Sequence, residues 1–185
     1  MIQDIYPHRF SLEYQVCAPE EGDWVIIFQG NQVFLTEEQT YPAYQKAEEG
    51  TEEKYQFLFS IDGEKYFLSL EPGEGERLGL KPYPIRHVRN LRPMHLAFAG
   101  YTAWHLYAWY QNNRFCGRCG SPMAPGTDER KLVCTSCGAS VYPRINPCII
   151  VAVHDGDRLL MTRYAKRPVT WFVLVAGFIE GGGTA

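Results

Sequence analysis

At 185 residues the chain has room for one medium domain or two small ones, and no apolar run approaches the roughly 20 residues that span a bilayer, so a membrane-spanning helix is not expected. The net charge of −3 conceals a division: residues 1–36 carry 1 basic and 5 acidic side chains, residues 37–76 carry 3 and 11, and residues 77–185 carry 14 and 5, giving −4, −8 and +9. The basic stretch suits an anionic ligand such as a phosphate-bearing metabolite or nucleic acid, although charge of this kind also serves simply to solvate a surface.

Residues 24–28 and 33–35 read as two strands around Gly30-Asn31, a pair that tolerates positive φ. The stretch 37–54 is polar and acidic and sustains neither a helical nor a strand period. Residues 55–61 and 64–70 read as a hairpin joined by Asp62-Gly63, the short-range signal for a two-residue type I′ turn. The N-terminal part is therefore expected to be a small antiparallel sheet.

Pro72, Gly73 and Gly75 punctuate the passage to a second segment, in which Pro93 opens a helix running to about Gln111. Leu96, Ala99, Gly100, Ala103, Leu106, Tyr107 and Tyr110 follow the i, i+3, i+4 pattern, so one stripe faces a core. Trp104 and Trp109 lie off that stripe and imply contact with another domain or subunit. Beyond Pro143 and Pro147, the apolar run 148–153 is expected to pair through 154–157 with 158–163. Lacking polar alternation, it reads as a strand buried on both faces in a sheet larger than one hairpin.

Cys116, Cys119, Cys134 and Cys137 are spaced C-x2-C-x14-C-x2-C, and each pair is followed by a glycine, Gly120 or Gly138, that lets the backbone turn tightly around a metal. Two such knuckles describe a zinc ribbon. A disulfide framework would need an oxidising compartment, and residues 1–10 show no basic region followed by an apolar stretch, so a cytoplasmic protein is expected. A thioredoxin-like pair would use one C-x-x-C at a helix start, not two with a strand-length spacer. Four thiolates fill a tetrahedral shell, which makes the zinc structural. Cys17 and Cys148 are left over and read as small buried thiols.

The order of a β-rich part, a helix ending in Gln111-Asn-Asn-Arg-Phe-Cys116-Gly-Arg-Cys119-Gly120, a four-cysteine ribbon, and Tyr142-Pro-Arg-Ile-Asn-Pro-Cys-Ile-Ile-Val-Ala-Val153 resembles the NADH pyrophosphatases of the Nudix hydrolase superfamily. Leu96-Ala-Phe-Ala-Gly100 and Arg158-Leu-Leu-Met-Thr162 fit the same family, and Ala176-Gly177-Phe-Ile-Glu180 resembles the start of the Nudix box. The resemblance covers nearly the whole chain and is most specific in the ribbon and the segment after it. It implies an α+β fold: residues 1–114 as an N-terminal domain with a linking helix, 115–142 as the zinc ribbon, and 143–185 as the first strands of a Nudix α/β/α sandwich, incomplete.

The activity it implies is hydrolysis of the pyrophosphate of NADH or NAD⁺ to nicotinamide mononucleotide and AMP with Mg²⁺ or Mn²⁺, and in some relatives removal of an NAD cap from RNA, by a homodimer. Divalent cations would clamp the diphosphate oxygens and activate a water, which requires clustered carboxylates. The family draws these from the box G-x5-E-x7-R-E-U-x-E-E-x-G-U, where U is a bulky aliphatic residue. Here the sixth position after Gly177 is Gly183, and the R-E-U-x-E-E helix does not appear within the 185 residues. A glycine side chain cannot ligate Mg²⁺, and Glu180 alone cannot assemble a multi-carboxylate site. The expectation is a C-terminally truncated member that is inactive by itself.

Carried over residue by residue, the resemblance makes Tyr142 a contact to the dinucleotide, with packing of the ribbon against the Nudix sheet as its structural alternative. Arg89 matches the substrate-contacting arginine, a guanidinium suited to bidentate phosphate recognition, and Arg86 and Arg92 are neighbouring candidates for the same register. Ala176 matches the residue that lends a backbone carbonyl to the reaction metal, and Glu180 reads as loop structure. His8, His87, His95, His105 and His154 show no metal-ligand spacing with one another. The alternative to an enzyme is a zinc-ribbon module that binds a nucleotide or RNA without cutting it, or dimerises through Trp104 and Trp109. Apolar residues near 149–153 and 172–175 are expected to lack a covering helix, which invites aggregation.

Overall fold

Runs of β-branched and aromatic residues supply most of a six-stranded sheet with the spatial order β1 (Phe10–Ser11), β4 (Tyr55–Ile61), β5 (Glu64–Ser69), β2 (Trp24–Gln29), β3 (Gln32–Leu35), β6 (Lys81–Pro84). The computed structural model describes residues 2–45 and 54–179, which fall into two compact units, Met1–Pro143 and Arg144–Ala185, and this sheet lies in the first. Residues 46–53 of the acidic stretch, and Glu180 and Gly183, lie outside the described residues. Both turns form where the sequence places them. Gly30 at φ 54° closes β2 onto β3, and Asp62 and Gly63, at φ 54° and 89°, are the two left-handed positions of the β4–β5 hairpin.

The sheet is mixed, not wholly antiparallel. The hairpins β2–β3 and β4–β5 join through a parallel ladder between β2 and β5, with Val25 opposite Phe67 and Ile26 opposite Leu68. Positions 25–28 and 66–69 are buried in succession, as suits strands covered on both faces. β6, with Pro82 and Pro84, is an edge strand, the place where missing amide donors are tolerated.

One face of the sheet packs against α2 (Met94–Asn112), which begins directly after Pro93. Leu96, Ala97, Ala99, Gly100, Ala103 and Leu106 are buried along it. Gly100 is demanded by close approach: a Cβ there would lie 2.1 Å from Tyr41 Oη, whose hydroxyl donates to the Leu96 carbonyl at 2.9 Å. The two tryptophans correct an expectation. Trp109 is buried at 6% exposure and Trp104 packs on Phe28 with ring centroids 5.2 Å apart, so neither is held out for a partner. α2 carries no Asp, Glu, Lys or Arg, and a helix without a charged face is buried over more than one stripe. The opposite face of the sheet carries Val25, Ile27, Phe34 and Tyr44, closed by the short α1 (Glu74–Arg77), where Gly75 lies against the Phe34 ring. A 3₁₀ turn, Ile85–Asn90, precedes α2 and buries Val88.

The ribbon is a three-stranded antiparallel sheet of β7 (Met123–Pro125), β8 (Leu132–Cys134) and β9 (Ser140–Val141). Arg130 ties it to the large sheet. The β4–β5 register shifts between Phe57 and Phe59, and the guanidinium donates to the carbonyls of Phe57, at 3.1 Å, and Leu58, while lying 5.3 Å from the ring centroid of Tyr14. The Tyr14 hydroxyl donates in turn to the Gly126 carbonyl of the ribbon at 2.8 Å.

In the second unit β10 (Cys148–Val151) pairs antiparallel with β13 (Val175–Phe178), and β11 (His154–Asp155) with β12 (Arg158–Leu159) around Gly156. The expected hairpin is thus confined to its turn, and the main partner of the apolar run is 175–178. Its burial on both faces is not observed: Ile150 is 66% exposed and Phe178 77%. Two-stranded ladders have no second layer, and the described residues of this unit include no helix. Cys148 is accordingly exposed rather than buried, whereas Cys17 is half-buried, its thiol pKa raised chiefly by burial.

Candidate metal centre and ligand-binding residues

The two knuckles repeat one backbone design. The Gly120 N–H donates to the Cys116 carbonyl at 2.8 Å and the Gly138 N–H to the Cys134 carbonyl at 3.2 Å, with both glycines left-handed at φ 77° and 70°. This brings the sulfurs of Cys116 and Cys137 to 3.7 Å, those of Cys119 and Cys134 to 3.4 Å, and all four within 4.8 Å of one another. A tetrahedral ion with bonds of about 2.3 Å separates neighbouring sulfurs by about 3.8 Å, so the four cysteines fit zinc.

Backbone donors favour the thiolate form. The N–H groups of Cys137 and Ser136 reach Cys134 Sγ at 3.4 Å and lower the pKa of that thiol. The N–H and hydroxyl of Ser121 pull the Cys119 thiol down to about 6. With four sulfur ligands no coordination position is left for water, so the cluster is consistent with a structural zinc ion.

Tyr142 follows β9 and is 50% exposed. Its hydroxyl donates to Glu129 Oε1 at 2.8 Å, and Lys131 Nζ lies 3.1 Å from the same oxygen. The phenol first, then Lys131, holds the Glu129 carboxyl below its usual range, and Glu129 raises the Tyr142 pKa in return. Glu129 and Arg130, one fixing Tyr142 and the other docking the ribbon, were missed in the sequence, where they appear only as two charges in a polar loop.

Arg89 and Arg86 are exposed on the 3₁₀ turn. Arg89 borders a groove of about 590 Å³ with Ile2, Gln3, Arg92, Met94 and Tyr101, which Tyr142 does not line. Arg92 spends part of its guanidinium on the carbonyls of Leu91, at 2.8 Å, and Arg89, at 3.3 Å. In the second unit Ala176 lies opposite Ile150 and borders a shallow groove of about 280 Å³ with Arg163 and Tyr164. Among the described residues the four cysteines are the one group of three or more side chains placed to hold a metal, and Asp155 is paired with Arg158. The described surroundings of Ala176 therefore do not fit a Mg²⁺ or Mn²⁺ site.

Residues 111–142 match the NADH pyrophosphatase zinc ribbon domain. The NAD-capped RNA hydrolase NudC of Chromobacterium violaceum is 31% identical over 167 residues, 90% of this chain and 62% of that protein. The chain resembles the NudC/NADH pyrophosphatase family, most directly through its ribbon. The NAD-capped RNA hydrolase NudC of Stutzerimonas stutzeri is 34% identical over 128 residues, 69% of this chain and 46% of that protein. That of Edwardsiella ictaluri is 40% identical over 79 residues, 43% of this chain and 31% of its own length. The chain thus spans between about a third and two thirds of these relatives. The chain combines this four-cysteine ribbon with a mixed α+β architecture, and no described helix is long and apolar enough to cross a membrane.

Proposed function

We propose that the protein recognises the NAD(H) dinucleotide, free or as the cap of an RNA, and that its family role is hydrolysis of the pyrophosphate to nicotinamide mononucleotide and AMP with Mg²⁺ or Mn²⁺. The observation that carries this reading is the four-sulfur ribbon leading through β9 to an exposed Tyr142, in a chain whose relatives are NAD-capped RNA hydrolases. Zinc fixes the strand, Glu129 fixes the hydroxyl, and the half-exposed ring offers a flat face for a base. Arg89, with its charge free of any carboxylate partner in the groove lining, supplies a donor to phosphate. Residues 1–114, 115–142 and 143–185 are read as N-terminal domain, ribbon and start of the hydrolase domain of a cytoplasmic protein. The homodimer rests on the family resemblance alone, since Trp104 and Trp109 pack inward.

For the 185 residues taken alone we infer binding without turnover. Residues 144–185 hold three carboxylates, Asp155, Asp157 and Glu180, against five basic side chains, and Gly183 stands where the box requires its first glutamate. No step through a reaction metal is assigned to them, and the Ala176 carbonyl alone would hold no ion.

Fluorescence titration with NAD⁺ tests the binding reading: Tyr142→Ala should weaken it about fivefold or more, the scale of one lost stacking contact. Equal affinity in the variant would remove Tyr142 from the site. The second reading, a non-catalytic module that binds RNA through its basic half, is favoured by the +9 charge of residues 77–185. Uncapped RNA bound with a steep salt dependence, and NAD⁺ not at all, would select it.

A further inference from the structure

Beside the buried side chain of Ile5, the N-terminal segment is tied down by three titratable side chains in a row. His8 Nδ1 lies 2.7 Å from Asp62 Oδ2, and His8 Nε2 lies 3.0 Å from Nδ1 of His95, the second residue of α2, with ring centroids 4.1 Å apart. Asp62 occupies the first left-handed position of the β4–β5 turn. Its Oδ1 accepts the Arg9 N–H at 2.7 Å, and its own N–H donates to the Arg9 carbonyl at 2.8 Å. Segment, hairpin and helix, far apart in sequence, meet at this one chain of contacts.

Counting protons decides what the arrangement tolerates. With both rings neutral, His8 donates from Nδ1 to the carboxylate and accepts at Nε2 from His95 Nδ1–H. One added proton is accommodated: His8 then donates from both nitrogens, and His95 takes the tautomer that accepts at Nδ1. A second proton sets N–H against N–H between two cationic rings.

The surroundings oppose that second charge on balance. Burial first, and then the charge of His8, lower the His95 pKa, while Asp62 and Glu64 of the hairpin act in the other direction. α2 adds no charged side chain, and the positive end of its dipole lies at His95. Asp62 is held below its usual range by the Arg9 N–H and then by His8, so it stays ionised as His95 takes up its proton.

We propose that His8 and His95 form an acid-sensitive latch, which keeps residues 2–9 on the hairpin and helix while the pair carries at most one proton and releases them when it takes up a second. The sign follows from the lowered His95 pKa: the latch contributes fully above the ordinary value of 6.5 and is lost as pH falls through the lowered one. Ile2 and Gln3 lie in the released segment and form part of the lining of the groove that also holds Arg89 and Arg92. Opening therefore removes one wall of that groove. The latch itself is independent of any ligand there.

Amide hydrogen exchange on the zinc-loaded 185-residue chain, corrected for intrinsic rates, reads the latch at the Arg9 and Asp62 amides. Between about pH 7.5 and about pH 5 their protection should fall about tenfold or more relative to the amide of Leu68. In His95→Gln, whose amide can turn either N–H or C=O toward His8, the fall should stay within about threefold over the same range. An identical pH profile in wild type and variant, or undiminished protection in the wild type at the acid end, would overturn the latch. Should His95→Gln fail to fold, His8→Gln gives the same contrast, and the ring ¹⁵N shifts of the wild type report directly whether two protons are taken up before release.

Discussion

The two units use the same residue types to opposite effect. Ile26, Leu58, Phe67 and Leu68 of the first are 0% exposed, because α2 closes one face of their sheet and α1 with Tyr44 the other. Ile150 and Phe178 of the second are 66% and 77% exposed, in a ladder of two strands. Both draw their strands from β-branched, aliphatic and aromatic residues, so residue type is not what separates them. Burial requires a second layer, and the described part of the second unit has none. The first unit accordingly holds its own stabilising core, and the second presents apolar surface of the kind that pairs with something else.

The hardest test of this contrast is zinc. Cys134→Ser should reduce bound zinc from one ion per chain to none and unfold residues 115–142, since a structural zinc contributes about 10–16 kcal/mol of binding free energy to such a fold. Metal analysis and exchange protection would read it. The large sheet should survive, because its core includes none of the four cysteines; its collapse would mean that the sheet depends on the ribbon of the same unit. A paired truncation sharpens the contrast next. Leu68→Ala should cost about 2–5 kcal/mol in denaturant unfolding, whereas Ile150→Ala should stay within about 0.5 kcal/mol. Comparable costs would place Ile150 in a core. A smaller effect belongs to Arg130→Ala, which leaves the Phe57 and Leu58 carbonyls without their donor and should cost about 1–3 kcal/mol. It should also raise exchange at the ribbon more than at α2.

What was legible in the sequence was local. Asp62-Gly63, Gly30-Asn31, Pro93 and the two C-x-x-C-Gly knuckles each encode their own backbone geometry within a few residues, and each forms where the pattern places it. The parallel β2–β5 ladder was not legible, because pairing of strands from separate hairpins is settled by which faces are covered. β6 was missed because prolines mask an edge strand, and β1 because two residues carry no period. The tryptophans were misplaced by treating one stripe as the whole buried surface of a helix without charges. At the ribbon the cysteines announced themselves, but the Glu129–Tyr142 bond and the Arg130 tether depend on the folded positions of ordinary charged residues.

We propose a division of labour, in which these residues supply a zinc-held recognition surface and the clustered carboxylates that diphosphate cleavage needs are not among them. Its most direct test is to incubate the purified, zinc-loaded 185-residue chain with NADH and Mg²⁺ or Mn²⁺ and to quantify AMP and nicotinamide mononucleotide. The account predicts no metal-dependent product above the protein-free control. Stoichiometric turnover by this polypeptide alone, lost on chelation of the divalent ion and restored by its return, would contradict it.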